Sequence, residues 1–186
     1  MEIRAGKASD FTDLLEIDGT IDSTHYLHVD YSASESSRTW RLEERALREA
    51  KIVANPISED DRFLLRQILA GADEGVALVV IHGERPVALL LAQPIAAQQT
   101  LRVIDLRVDS DVRRQGIATA LLLMVIGEAR TLGLRAVSVE TRADNAPMYR
   151  LLPKCGFEIA GLDTRRHSNH DLVKESATLL WYASLD

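Results

Sequence analysis

Cysteine is nearly absent from these 186 residues, with Cys155 standing alone. A single thiol excludes an internal disulfide, and with no Cys/His cluster at zinc spacing no metal is implied. Cations do not predominate either: 22 Lys and Arg face 28 Asp and Glu, for a formal net charge of -6. A general nucleic-acid surface needs clustered Lys and Arg against phosphates, so nucleic acid is not an expected partner. No apolar run approaches the roughly 20 residues of a membrane helix. Met1-Glu-Ile-Arg4 opens with structure rather than with the charged and apolar regions of a signal peptide. These absences lead us to expect a cytoplasmic chain without a membrane partner, folded as one domain over residues 1–186 around a core of ordinary size. The oligomeric state is left open, a homodimer included.

The sequence does contain a loop built to hold an anion. The segment from Val108 to Ile126 reads as the end of an apolar strand, a polar turn and a helix that opens on small residues. Gly116 and Ala118 lack bulk, so backbone N–H groups can close around a phosphate, and the following helix adds its orphan donors and the positive end of its dipole. A nucleoside-triphosphate loop is excluded, since Gln115-Gly116-Ile117 supplies neither the lysine nor the magnesium-binding hydroxyl. A dinucleotide fingerprint belongs at the first strand-to-helix turn, whereas this loop lies behind several strands.

Arg113-x-x-Gly116-x-Ala118 resembles motif A of the GNAT superfamily of N-acetyltransferases, whose signature is Gln/Arg-x-x-Gly-x-Gly/Ala. Its flanks agree: Leu101–Val108 as the preceding strand, Thr119–Leu132 as the helix, and Ala136–Thr141 as the next strand. The stretch from Asn145 to Phe157 resembles the family's Asn-x-x-Ala-x-x-Leu-Tyr-x-x-x-Gly-Phe. The match is best over residues 75–163. It has partial similarity to streptothricin-type enzymes, in the Gly156-Phe-Glu-Ile-Ala-Gly161 turn and the Leu179-Leu-Trp-Tyr182 strand. Around Glu140 it is similar to protein N-terminal acetyltransferases.

Pattern and resemblance together predict an α+β GNAT-like fold. Its central sheet is mixed and mostly antiparallel, splayed between strands 101–108 and 136–141 and flanked by helices. Along the chain we expect a strand over 2–4, a helix over 10–18 capped by Ser9, a strand over 24–30, a polar loop over 32–37 and, near 40–50, extended structure in preference to a charged helix. A helix over 58–70 should bury Phe63, Leu64, Leu65 and Ile68. A hairpin over 76–93 turns at Gly83–Pro86. A helix over 145–152 and strands over 157–163 and 177–183 complete the order.

The resemblance implies acetyl-CoA as co-substrate and an amine as acceptor. Its pyrophosphate should sit on the N–H groups of Arg113, Arg114, Gln115, Gly116, Ile117, Ala118 and Thr119, with Arg113 and Arg114 as a basic patch. Its pantetheine arm should pair with the backbone of Leu106, Arg107 and Val108, and Asn145 and Leu152 line the same cofactor. An alkyl amine has a pKa near 10.4, so a base is needed; Glu140 aligns with the catalytic glutamate of the N-terminal enzymes. A surface ion pair with Arg142 or Arg135 is the competing role for it. The usual acid tyrosine falls on Leu152, leaving Tyr149 one turn back as the nearest phenol, and Pro153 disfavours helical geometry at Leu152. A non-catalytic acyl-CoA sensor on the same fold is therefore the alternative function. Cys155 reads as a packing thiol. His167 and His170 lie in a polar connection, and the patch of His25, Tyr26, His28 and Tyr31 is expected to shape acceptor specificity.

Overall fold

The computed structural model describes residues 1–185. In chain order the strands are β1 (Glu2–Ala5), β2 (Ile21–Ala33), β3 (Arg38–Val53), β4 (Val76–His82), β5 (Arg85–Ile95), β6 (Thr100–Val108), β7 (Ala136–Arg142), β8 (Glu158–Asp163) and β9 (Thr178–Ser184). The α-helices are α1 (Phe11–Leu15), α2 (Glu59–Leu69), α3 (Ile117–Thr131) and α4 (Ala146–Leu151). Seven strands form one sheet in the order β1-β4-β5-β6-β7-β9-β8, and β2 pairs with β3 in a separate two-stranded sheet. The β1/β4, β4/β5 and β5/β6 pairs are antiparallel and β6/β7 is parallel, so the fold is α+β with a mixed sheet flanked by helices. No helix among the described residues is long and apolar enough to cross a membrane.

The chain forms two compact units, the first comprising Met1–Thr20, Ala54–Val139 and the residues from Tyr182 onward. Its centre is the β4–β5 hairpin. Gly83, at φ 64°, takes the first position of the two-residue turn, where only glycine adopts that backbone without strain. Strand pairing resumes at Arg85, earlier than the expected Gly83–Pro86 turn allows. Val87 to Ala92 are buried on both faces, which is why this strand is apolar throughout rather than alternating. Leu14, Ile17, Ile57, Leu65, Val79, Leu89 and Leu91 make one continuous core. Leu121, Leu122, Val125 and Ile126 of α3 are buried as well, and α3 packs on β4, β5 and β6.

Two helices of this unit differ from expectation. Instead of a helix over 10–18 capped by Ser9, a 3-10 turn covers Ala8–Asp10 and α1 runs only from Phe11 to Leu15, with Asp10 at its N-cap. Asp10 is committed elsewhere, accepting from Arg4 at 2.7 and 2.9 Å and from the Lys7 N–H at 2.8 Å. In α2 the Ser58 cap is present, with Oγ accepting from the Asp61 N–H at 3.1 Å, and Leu65 is buried. Phe63 is 66% exposed, however, because two residues from Leu65 on a helix is about 200° round the axis.

The second unit comprises Ile21–Val53 and Glu140–Trp181. β2 and β3 form a long ribbon in register from Ile21↔Val53 to Ala33↔Arg38, with an irregularity between Ser23 and His25. The segment near 40–50 is extended rather than a charged helix, and β2 runs on through Ser32 and Ala33 and shortens the expected 32–37 loop. Helix α4 packs on β2, where Tyr26 and Val29 are buried, and the Leu27 N–H donates to the Ala143 carbonyl at 2.8 Å. Buried Tyr149, Leu152, Cys155, Phe157, Leu179 and Trp181 complete its interior.

Candidate functional site

In the first unit, strand β6 leads into the loop. The Asp109 N–H donates to the Val87 carbonyl at 2.8 Å, so by alternation the polar groups of Arg107 also face β5, and those of Leu106 and Val108 face away from it. On that far side, parallel pairing with β7 covers Thr100↔Ala136 to Val103↔Val139. Leu106 and Val108 lie beyond the last of these pairs and present main-chain groups with no ladder to join. The Arg107 side chain is buried and turned inward, with Nε 2.5 Å and Nη2 3.0 Å from the Asp105 carboxylate.

A 3-10 turn over Ser110–Val112 follows, its start capped by Asp109, which accepts from the Asp111 N–H at 3.2 Å and from Arg85 at 3.1 Å. Arg114 at φ 64° and Gly116 at φ 81° then adopt left-handed backbone. A bend of this kind turns successive N–H groups to one side. None of the N–H groups from Arg114 to Thr119 donates to a backbone carbonyl among the described residues; the next, from Ala120, returns to Gly116 at 3.0 Å. Helix α3 begins at Ile117, two residues before the expected start, with no side-chain cap and no acid in its first turn. Its positive end is thus uncompensated. The direction in which a Gly116 side chain would point is empty for 4 Å. These features fit a pyrophosphate: donors, positive field and space coincide.

Arg113 does not contribute its charge as expected. Its Nε donates to the Val108 carbonyl at 2.8 Å and its Nη2 to the Asp18 carbonyl at 2.9 Å, with the Asp18 carboxylate at 3.8 Å. The guanidinium shapes the loop, and the exposed cation there is Arg114.

In the second unit Glu140 is exposed and held by Arg166, whose Nη2 lies 3.1 and 2.9 Å from its two oxygens. Arg166, rather than Arg142 or Arg135, is its partner. Arg142 instead donates to Asp144 at 2.9 and 2.8 Å, and Lys51 donates to the same carboxylate. Burial works to raise the Asp144 pKa, but these two cations outweigh it and hold the group below its ordinary value. Asn145 caps α4, accepting from the Met148 N–H at 3.3 Å.

Tyr149 is buried and donates to Glu44 Oε1 at 2.9 Å, an oxygen that also accepts from Arg150 at 2.6 Å. Burial, then the neighbouring carboxylate, pushes the phenol well above its ordinary pKa. Leu152 is fully buried and offers no surface to a ligand. Contrary to the expectation from Pro153, Leu152 is helical at φ -55°, ψ -45°; the chain changes there to a 3-10 turn over Leu152–Cys155, whose start tolerates proline. Burial raises the Cys155 thiol, in keeping with a packing role. The aromatic patch divides along β2: Tyr26 is buried, Tyr31 lies 4.4 Å from Trp40 between ring centroids, and His28 is 3.0 Å from Asp30.

Arg166, Glu44, Lys51 and Asp144 were invisible as site residues in the sequence, because each lies far along the chain from its partner or in a charged stretch with no motif. His167 and Asp171 belong to a second feature. The Asp171 carboxylate accepts from the His167 N–H at 2.8 Å and the Ser168 hydroxyl at 2.7 Å, which together hold its pKa at about 2 and fix the loop that precedes β9.

Known proteins resemble this chain in sequence and in fold. Streptothricin acetyltransferase of Escherichia coli is 29% identical over 70 residues, which is 38% of this chain and 40% of that protein's length. Among solved structures, a candidate streptothricin acetyltransferase from Bacillus anthracis in complex with acetyl coenzyme A is similar in fold. It has a TM-score of 0.78 at 15% identity, and each chain is covered to 99%. The ribosomal-protein-S18-alanine N-acetyltransferase of Escherichia coli has a TM-score of 0.64 at 17% identity, covering 100% of this chain and 94% of its own. The sequence model of the acetyltransferase (GNAT) family matches residues 37–157, well over half the chain and including the whole anion loop. With that match, the chain belongs to the acetyltransferase (GNAT) family.

Proposed function

We propose that this chain is an acetyl-CoA-dependent N-acetyltransferase that acetylates a primary amine by direct attack in a ternary complex. The run of free N–H groups from Arg114 to Thr119, ahead of the uncapped α3, carries the reading. Pyrophosphate binds there through main-chain donors, and the outward main-chain groups of Leu106 and the N–H of Val108, whose carbonyl is held by Arg113, pair with the amides of the pantetheine arm. Acetyl-CoA supplies the activated acyl group. No metal is needed, because the thioester is already reactive toward an amine once the amine is deprotonated.

Glu140 takes that proton, directly or through water. In the free protein both its oxygens face Arg166, so it works as a base once an incoming ammonium replaces the guanidinium. Tyr149 is a poor proton donor while it is bound to Glu44 and its pKa is raised. The departing thiolate, with an ordinary pKa near 8.5, then takes its proton from water. Both a small-molecule amine and a protein N-terminus are acceptors consistent with the relatives.

One observation favours a second reading, an acyl-CoA sensor on the same fold: the base is ion-paired and no free phenol stands at the usual acid position. The experiment is thermal unfolding with acetyl-CoA, with NADH and ATP as controls, followed by free-thiol release with amines. A ligand at about 100 times its dissociation constant stabilises by about 2.7 kcal/mol. A shift with acetyl-CoA alone, plus thiol release, supports the enzyme. A shift without release across amine classes supports the sensor, and no shift removes both.

A further inference from the structure

A cleft of about 480 Å³ in the second unit is lined by Lys51, Arg142, His167, Ser168, Asp171 and Lys174. Two carboxylates lie in or beneath it, and both are already engaged. Asp144 accepts from Lys51 and from two nitrogens of Arg142, and Asp171 accepts from the His167 N–H and the Ser168 hydroxyl. Their oxygens are therefore already occupied by donors of the protein. The cations keep donors to spare, because an ammonium has three N–H bonds and a guanidinium five. Lys174 has no ion-pair partner among the described residues, and its backbone N–H is fixed to the His170 carbonyl at 2.9 Å. What the cleft offers a ligand is thus a set of N–H donors with positive charge, on a loop already organised by Asp171.

Its position bears on the reaction. Arg142 and Glu140 lie two apart on β7, on the same side of the strand and about 7 Å apart along it. On the facing loop, His167 follows Arg166, which holds Glu140.

Resting on the acetyltransferase reading, we propose that this cleft binds an oxyanion, carboxylate or phosphate, carried by the acceptor amine. The acceptor is then an amine bearing an acid group several bonds away, not a polycation. Lys51, Arg142 and Lys174 grip the acid group while the amine reaches Glu140.

The test pairs amines that differ only in the acid group: 5-aminopentanoate against pentylamine, and O-phosphoethanolamine against ethanolamine, each followed by thiol release. We expect kcat/KM to favour the acidic member by about tenfold or more, the size of one charge-assisted hydrogen bond. The preferred pair distinguishes carboxylate from phosphate, and in Lys174→Glu the preference collapses toward unity. Calorimetric titration of malonate and of inorganic phosphate into the wild type and Lys174→Glu, with CoA present to occupy the anion loop, reads the cleft without turnover. Circular dichroism confirms that the variant is folded. If at least one anion binds the wild type and binding is lost in the variant while no amine gives thiol release, the cleft assignment stands and the transferase reading fails. Anion binding unaltered in folded Lys174→Glu, no anion binding at all, or equal kcat/KM within both amine pairs overturns the proposal.

Discussion

Arg113 donates from Nε to the carbonyl of Val108, 2.8 Å away, and so ties the loop back to the end of the strand that leads into it. Its other end reaches the Asp18 carbonyl, giving one side chain two main-chain anchors far apart in sequence. The motif arginine is a strap, and the N–H groups it positions are the proposed binding surface. Arg113→Ala should lower stability by about 1.5–3 kcal/mol, the range for hydrogen bonds involving a charged group. It should also weaken acetyl-CoA several-fold. Arg113→Lys should behave like the alanine variant, since one ammonium cannot span both carbonyls. Urea unfolding and calorimetric titration of acetyl-CoA read the two effects.

Two glycines should respond to alanine for different reasons. At Gly116 there is space for a methyl group but φ is 81°, so the cost is backbone strain, about 1 kcal/mol, together with a misaligned N–H fan and weaker acetyl-CoA binding. At Gly19 the added carbon falls 2.6 Å from the Asn55 carbonyl oxygen and 2.9 Å from Arg107 Nη1. Something must move, so Gly19→Ala should cost about 1–3 kcal/mol. Denaturation midpoints and acetyl-CoA affinities measured together separate the two cases.

Glu140→Gln keeps the shape and removes the proposed base. We expect kcat to fall by about 10²–10⁴, the usual contribution of a positioned general base, with acetyl-CoA affinity unchanged. Arg166→Ala leaves the carboxylate in place and removes its partner, so activity should survive it far better. Single-turnover thiol release at saturating acetyl-CoA compares the pair directly; equal losses in both variants would count against a base role.

Tyr149→Phe tests whether the phenol is an acid or an anchor. Glu44 retains Arg150 after the substitution, so the stability change should stay below about 1 kcal/mol. If water protonates the thiolate, kcat falls less than about tenfold; a loss of about 10² or more would identify the phenol as the general acid. The ratio of kcat in the two proteins at pH 7 is the readout.

The loop before β9 should be acid-sensitive. Asp171 has a pKa of about 2 in the folded protein, against roughly 3.9 for an unperturbed aspartate. A depressed folded pKa means that the carboxylate adds stability above pH 4, and that this contribution is lost as the pH falls from 4 to 2. Amide hydrogen exchange over residues 164–176 should accelerate across that window in the wild type. Asp171→Asn should exchange faster at neutral pH and lose the step.

How much of this was legible in the sequence depended on how local the cause was. The Ser58 cap, the buried strands β4 and β5 and the glycine-bearing loop are fixed by residues within a few positions of one another, and they were readable. The short α1 was not, because Asp10 accepts from Arg4 and from the Lys7 N–H together, beside a 3-10 turn that the letters alone do not announce. Nor was the exposure of Phe63, since an apolar residue at an awkward helical angle looks the same in a string of letters. The site divided along the same line. The anion loop has a local pattern, whereas Arg166 beside Glu140, Glu44 beside Tyr149 and Lys51 beside Asp144 are meetings of distant segments that only folding brings about.

The parallel pairing of β6 ends at Val103↔Val139, and on the proposed reading the main-chain groups of Leu106 and the N–H of Val108 are a grip that belongs to no particular side chain. Point substitution can rewrite an arginine or a glutamate, but it cannot delete an amide, proline aside. With acetyl-CoA bound as proposed, the part of the protein that holds the common reagent is in this way shielded from mutational drift. The charged cleft and the β2–β3 ribbon have no such protection, so descendants of this chain can change what they modify while keeping what they modify it with.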